Sequence, residues 1–439
     1  MSERARISPW ERAGLWGLVG VIVFFGCFTV YRSAFLSRRM GDSRMMFRAA
    51  WMARSGGDLY ARQDEYLLHY NYPPLLACLM IPLADPPAGT VAVAIPFPAL
   101  VGVWYVINTG FLLVGIHLFA LAVAPGDPAG SRRWWALRVT PFLVCLPAIG
   151  STMMQGQVTP LLFILIAWSA YLAGRGQGVM SGLMITAAAC IKLFPALLFL
   201  WPLWQFGRRA MRGALVACAG GLIVIPTIAM GPAKAIEAYH TLYRAMILPA
   251  LGQPGDDSRH KELFSTNGPH SMSLQSTINN LLHPDRKSRP DRPSPVARYS
   301  ALAASAALLA VTIWAFRKQP PAESQPLFHG LAWGALTLVM LLACPVTHLH
   351  YLMLALPAVL ALVAASRGDG IAPSPLVTLA LAVHVATVVL AQLPGLEALK
   401  DKCLPVVGLL LLWAASCLEG ARLTWRQQAE EVRPLARAA

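Results

Sequence analysis

Seven long stretches of this chain contain no Asp, Glu, Lys or Arg: Ala13 to Tyr31, Pro86 to Gly126, Val139 to Gly174, Gly213 to Ala233, Tyr299 to Phe316, Ser324 to Ser366 and Ile371 to Leu396. A helix needs roughly 20 apolar residues to cross a bilayer core of about 30 Å, and several of these stretches are long enough for two crossings. In lipid every backbone N–H and C=O must be paired within the protein, which leaves a helical bundle as the fold for runs of this kind. Composition agrees: 13% of the 439 residues are charged, whereas a soluble domain averages about 25%. The expected fold class is an all-α polytopic membrane protein.

Candidate crossings fall at 13–31, 72–84, 97–124, 137–150, 158–174, 178–192, 193–206, 213–231, 298–316, 327–343, 349–365, 374–392 and 403–419. Four of them, 72–84, 137–150, 178–192 and 193–206, are too short to span the bilayer unaided. Short helices that end at Pro, Gly or Gln at membrane depth imply a water-filled cavity, because the freed backbone groups cannot face lipid. Residues 1–12, with Arg4, Arg6 and Arg12, lead into an apolar run with no small-residue cleavage site, the pattern of a retained signal anchor. Lys and Arg in short loops place the N-terminus, 131–138, 207–212, 316–319 and the basic tail 421–439 on the cytoplasmic side. The first loop (32–71), residues 155–157, Lys192, the long segment 232–297 and residues 344–351 then fall together outside. Thirteen crossings would separate the two termini, so one short segment, 72–84 or 137–150, is re-entrant or miscounted.

The net charge of +15 does not call for nucleic acid, because the basic residues cap helices on both sides of the membrane. Anionic headgroups of membrane lipids, or a phosphate-bearing lipid, are the expected partners. The eight cysteines are scattered without CxxC spacing and read as core residues. Residues 43–55 predict an amphipathic helix on the outer surface, with Met45, Met46, Phe47, Ala50 and Trp51 dipping into headgroups.

Carboxylates are few, and none lies between Asp127 and Glu237. A general base on the outside must therefore come from the first loop, the long segment or the last outer loop. Asp42 stands among Arg32, Arg38, Arg39, Arg44 and Arg48 in "YRSAFLSRRMGDSR", where it is either a helix cap or a base. Arg44 is its nearest candidate for holding an anion. Asp58 sits in the turn "SGGDLY", and Asp64 and Glu65 read as solvated. Lys192 in "CIKLFP" either snorkels from a short helix or meets an anion at membrane depth. His348 and His350 in "CPVTHLHY" stand at a helix start, where two imidazoles suit a phosphate oxygen. Zinc is not implied, since no further Cys or carboxylate stands at ligand spacing. Gln157 of "QGQ" offers an amide suited to sugar hydroxyls or to capping.

In this order, "AAWMARSGGDLY" after Asp42, "YNYPPLLACLMIPLA", "QGQVTPLLFILIAW", "GLMITAAACIKLFPALLFLWPL" and "CPVTHLHYLMLALPAVL" resemble glycosyltransferase family 87, the polyprenol-phosphate-mannose-dependent mannosyltransferases, over roughly residues 12–420. The resemblance implies a GT-C architecture of about 12–13 membrane helices. Its catalytic domain would occupy 13–420, and its active site would open opposite the cytoplasm in the cell membrane. It implies a polyprenyl-phosphate sugar donor, a glycolipid or glycan acceptor, no cofactor, and Asp42 as the catalytic acid–base residue. Lys192 matches the lysine of the family's "KxxP" break, and His348 and His350 its outer-loop histidines. Where the family shows Asn-Gln-Ser-Leu this chain reads "SMSL" at 271–274, and a family Arg aligns near Asn280. Gln275, next in sequence, joins the substrate contacts.

The chemistry fits such residues. Glycoside hydrolysis needs two carboxylates because the leaving alcohol must be protonated. A lipid phosphate already leaves well, so one base suffices, with cations aimed at the phosphate oxygens. A transporter or flippase of a lipid-linked sugar is the alternative; it would show internal symmetry, and none is visible. A membrane O-acyltransferase using the His pair as base leaves Asp42 and the basic loop unexplained.

Overall fold

The chain enters its first helix through a capping box. Ser8 Oγ accepts from the Glu11 amide at 3.2 Å and Glu11 Oε2 accepts from the Ser8 amide at 2.7 Å, pairing two donors that a helix start leaves over. The computed structural model describes residues 7–36, 41–61, 69–87, 90, 95–250, 253, 259, 271–290, 292–366 and 374–438. Its helices are α1 (Pro9–Tyr31), α2 (Gly41–Ser55), α3 (Pro74–Leu79), α4 (Phe97–Val123), α5 (Arg132–Val144), α6 (Leu146–Gln155), α7 (Thr159–Gly174), α8 (Gly178–Ile191) and α9 (Leu200–Phe206). They continue as α10 (Arg208–Cys218), α11 (Ile225–Met230), α12 (Pro232–Leu242), α13 (Leu274–Leu282), α14 (Pro295–Ala315), α15 (Gln325–Ala343), α16 (Leu356–Ser366), α17 (Pro375–Leu390) and α18 (Pro405–Ala438).

Seven of the described helical segments are long and apolar enough to cross a membrane, and α5 with α6, bent by 65°, makes an eighth. Pro141 and Pro147 flank that bend, and a proline removes a ladder hydrogen bond wherever it sits inside a helix. Four shorter apolar segments, Thr159–Gly174, Gly178–Ile191, Phe194–Phe206 and Pro375–Leu390, complete a set of twelve. The protein is thus all-helical and polytopic. The expected crossing at 72–84 is absent: the segment holds only α3, six residues long, and the turn Ile81–Leu83. Six residues rise about 9 Å, which cannot span a bilayer. With that segment removed the apolar elements among the described residues number twelve, of which seven, or eight with the bent pair, have the length and composition of a full crossing.

The bundle is built around α15 and the segment Leu349–Ser366, each 78% buried along its most apolar window, against 6% for the window in α1. A helix apolar on every side is either core or membrane-facing, and these segments are the two cases. Helix α15 packs on α16 and α18, α4 on α7, and α7 on α8. Helices α8 and α10 approach closely because Gly182 faces the Ala210 carbonyl and Gly213 the Val179 carbonyl; a Cβ on either would strike backbone oxygen.

Helix α2 departs from expectation. Its apolar face is turned into the protein: Met46, Phe47 and Ala50 are wholly buried and Met45 nearly so. Helix α3 and the Ile81–Leu83 turn cover that face, Phe47 meets the Trp104 ring edge-on at 6.5 Å, and Arg48 reaches Asp85 at 3.3 Å. These side chains gain burial from protein neighbours instead of headgroups.

Candidate active site

Helix breaks converge on one cavity of about 720 Å³. The start of α2 contributes Asp42 and Met45, and the first loop contributes His69, Asn71, Tyr72 and Pro73. The end of α6 and the turn after it give Ser151, Gln155 and Gln157; the break after α8 gives Lys192, Leu193 and Phe194. The loop before α16 supplies Cys344 to Val346 and His348 to Tyr351, and Met246, Ile247, Ala250, Met272 and Gln392 complete the wall.

Each position has a local cause. Helix α6 ends at Gly156, whose φ of 64° is a left-handed conformation that glycine adopts without a Cβ penalty. That reversal ties the Gln157 amide nitrogen to the Thr152 carbonyl at 3.0 Å and turns the side chain inward, 3% exposed. Lys192 caps α8 in extended geometry, with φ −149° and ψ 128°, and the chain turns there into the 3₁₀ segment Phe194–Phe199, near whose start Pro195 is tolerated because it owes no helical donor. Its ammonium donates to Tyr351 Oη at 2.8 Å and lies 4.0, 4.8 and 5.5 Å from the ring centres of Tyr351, Tyr72 and Phe194. Aromatic faces stabilise a cation by their quadrupole, so this box holds the charge at the cavity wall.

His348 precedes the 3₁₀ turn Leu349–Ala355 in extended conformation, and its ring stacks on His350 at 5.4 Å. His350 is 4% exposed, and among the described residues neither of its ring nitrogens has a hydrogen-bond partner. A buried imidazole with both nitrogens unpaired is unfavourable until a ligand or water meets it. Asp42 lies in the first turn of α2, where the helix dipole favours a carboxylate, and one of its oxygens accepts from Gln157 Nε2. Among the described residues it is the one carboxylate lining the cavity. Asp58 accepts from the Tyr60 amide at 2.9 Å in a turn away from it, and Asp64 and Glu65 lie outside the described residues.

Five of the seven residues singled out from sequence, Asp42, Gln157, Lys192, His348 and His350, therefore meet at one cavity. Arg44 and Gln275 are not in its lining: the Arg44 guanidinium sits 4.4 Å over the Phe97 ring, and Gln275 lies half-buried on α13. Asn280 is also elsewhere, donating to the Asp401 carbonyl at 2.6 Å. The departure "SMSL" is a staple, with the Met272 amide donating to the Thr347 carbonyl at 2.6 Å and Ser273 Oγ to the Pro345 carbonyl at 2.8 Å. Arg259 forms a second one, donating to the carbonyls of Tyr60 at 2.7 Å and Tyr70 at 2.8 Å and to Asn71 Oδ1 at 3.3 Å.

Sequence reasoning missed Tyr72, Tyr351, His69, Asn71 and Gln392 as lining residues, whereas Gln155 belongs to the "QGQ" amides it had singled out. The signal for Tyr72 was the double proline of "YNYPP", which forces the preceding residues to be extended and lets alternate side chains face one way. For Tyr351 it was adjacency to His350 in a turn that brings neighbours to one wall.

The model of glycosyltransferase family 87 matches residues 70–345, more than half of the chain. A Mycobacterium tuberculosis (strain ATCC 25618 / H37Rv) protein, a polyprenol-phosphate-mannose-dependent alpha-(1-2)-phosphatidylinositol mannoside mannosyltransferase, is 31% identical over 186 residues, 40% of this chain and 42% of that protein. A polyprenol-phosphate-mannose-dependent alpha-(1-2)-phosphatidylinositol pentamannoside mannosyltransferase of strain CDC 1551 / Oshkosh is 26% identical over 142 residues, 32% of this chain and 30% of its own length. The chain thus spans less than half the length of these relatives. Among solved structures, ArnT from Cupriavidus metallidurans bound to undecaprenyl phosphate aligns over 95% of this chain and 80% of its own, with 14% identity and a TM-score of 0.40. On the family match, which runs from Tyr70 to Pro345 and takes in Tyr72, Gln157 and Lys192 of the cavity wall, this chain belongs to glycosyltransferase family 87.

Proposed function

We propose that this membrane protein transfers a hexose, mannose by its relatives, from a polyprenyl-phosphate-linked donor to a lipid or glycan acceptor on the non-cytoplasmic face of the membrane. The observation that carries the reading is a single cavity in which one carboxylate, Asp42, shares the lining with the ammonium of Lys192 and the imidazoles of His348 and His350. The donor phosphate lies against Lys192 and the histidines, and an acceptor hydroxyl approaches Asp42. The hydroxyl proton passes to the Asp42 carboxylate as its oxygen bonds to the anomeric carbon. The bond from that carbon to the phosphate oxygen breaks, and the electron pair leaves with the lipid phosphate. Attack opposite the leaving group inverts the anomeric centre. Cations aimed at the phosphate oxygens stabilise the charge where it develops, which is the largest contribution such a site makes to rate.

Transfer of labelled mannose from a synthetic polyprenyl-phosphate donor to membrane glycolipids tests this. Asp42→Asn is expected to lower the rate by about 10²–10⁴-fold, the range for removal of a general base. Lys192→Ala is expected to lower kcat/KM by about 10²-fold, comparable to loss of one preorganised charge-stabilising donor. Movement of intact labelled donor across vesicles, with no lipid phosphate released, would identify a flippase instead.

A further inference from the structure

Gln157 is engaged at both ends of its side-chain amide. Tyr72 Oη donates to Gln157 Oε1 at 3.0 Å, and Gln157 Nε2 donates to Asp42 Oδ2. Tyr72 is itself immobilised. Its carbonyl accepts from Tyr60 Oη at 3.0 Å, its ring lies 5.6 Å from that of Tyr70, and it is 4% exposed. With the phenol donating to Oε1, the amide is obliged to turn its NH₂ toward Asp42. The flipped amide would set its oxygen against a carboxylate oxygen, an arrangement satisfied only when Asp42 carries a proton.

We infer that Tyr72 and Gln157 are positioning residues for Asp42: Tyr72 fixes the orientation of the Gln157 amide, and Gln157 holds the Asp42 carboxylate in place and in its ionised, proton-accepting form. The inference rests on the proposal that Asp42 is the base. It gives Gln157 a different task from binding sugar hydroxyls, for which its neighbour Gln155, half-buried in the same wall, remains placed.

Other charges also face Asp42. Lys192 at the end of α8 carries one of them, and the neutral phenols of Tyr72 in the first loop and Tyr351 before α16 line the same cavity. His69, His348 and His350 share the cavity, and Arg44 and Arg48 stand on its own helix. Cationic groups required in their protonated form set the alkaline limb of a pH–rate profile, whereas a base required ionised sets the acid limb. The two contributions are therefore separable.

The test is the pH dependence of kcat and kcat/KM for mannosyl transfer by the full chain in detergent or liposomes, with melting temperature as a folding check. Tyr72→Phe and Gln157→Met are expected to keep donor and acceptor KM within about twofold and to lower kcat. Both should move the acid limb alkaline by about one pH unit, the scale of one hydrogen bond to a charged group. Gln157→Glu, close in shape, places a second carboxylate beside Asp42 and is expected to move that limb further, since adjacent carboxylates share a proton. An unmoved acid limb in Gln157→Met and Gln157→Glu overturns the inference, and a rise in acceptor KM alone marks Gln157 as a substrate ligand. Full transfer by Asp42→Asn would instead sink the underlying assignment of the base. Loss of transfer there, with unshifted limbs in the other variants, would sink only the relay.

Discussion

Asp401 shows at the residue scale how this protein places a charge outside the cavity. The Arg289 guanidinium, fully buried at its side chain, clamps both Asp401 oxygens at 2.7 and 2.9 Å, tying the chain before α14 to the chain before α18. Those hydrogen bonds hold the Asp401 carboxyl below its ordinary range. A lowered folded value stabilises above the unfolded pKa of about 3.9 and is lost as pH falls through the folded value. The difference in melting temperature between wild type and Asp401→Asn should thus be full at neutral pH and shrink as pH falls below the unfolded carboxylate range. Asp401→Ala strands the buried guanidinium and is expected to cost about 3 kcal/mol in denaturant melts. The polar residue types that line the cavity were legible in sequence, because a lone Asp, an intramembrane Lys and a His pair are rare where apolar residues prevail. It misjudged Arg44, since nothing local reveals that its guanidinium rests on Phe97, dozens of residues away.

At the scale of elements, the helix breaks form the cavity. Prolines and glycines at 73–74, 156, 195 and 345 stand where helices start or stop around the cavity, and each break presents a polar side chain. Those breaks were legible, since Pro and Gly act through local sterics that need no tertiary context. The fate of α2 was not. Its apolar stripe was plain, but whether lipid or protein covers such a stripe depends on α3 and α4, which the sequence does not place. The α8–α10 contact is a further tertiary decision. Gly213→Ala is expected to destabilise by about 1–3 kcal/mol, the usual cost of overpacking, because the new methyl meets the Val179 carbonyl. Thermal melts in detergent should show the loss for Gly213→Ala and little change for Gly220→Ala, where a methyl meets open space.

For the whole molecule, we propose a topology in which all twelve apolar elements cross; both termini then share one side, and reporter fusions at residue 1 and after residue 425 are expected to report the same compartment. Opposite compartments would mean that a shorter helix does not cross. A thiol probe that cannot cross membranes should reach Ser151→Cys, on the cavity wall, only from the opposite side. By itself the sequence determined the solvent, the all-helical class and the chemistry on offer, because hydrocarbon thickness and backbone pairing act on every segment separately. The tertiary structure alone decided which breaks face one another. It removed 72–84 from the crossings, buried the face of α2, and set the Gln157 amide between Tyr72 and Asp42, residues far apart in the chain. Such placements follow from packing energies summed over distant segments, and no local pattern encodes them.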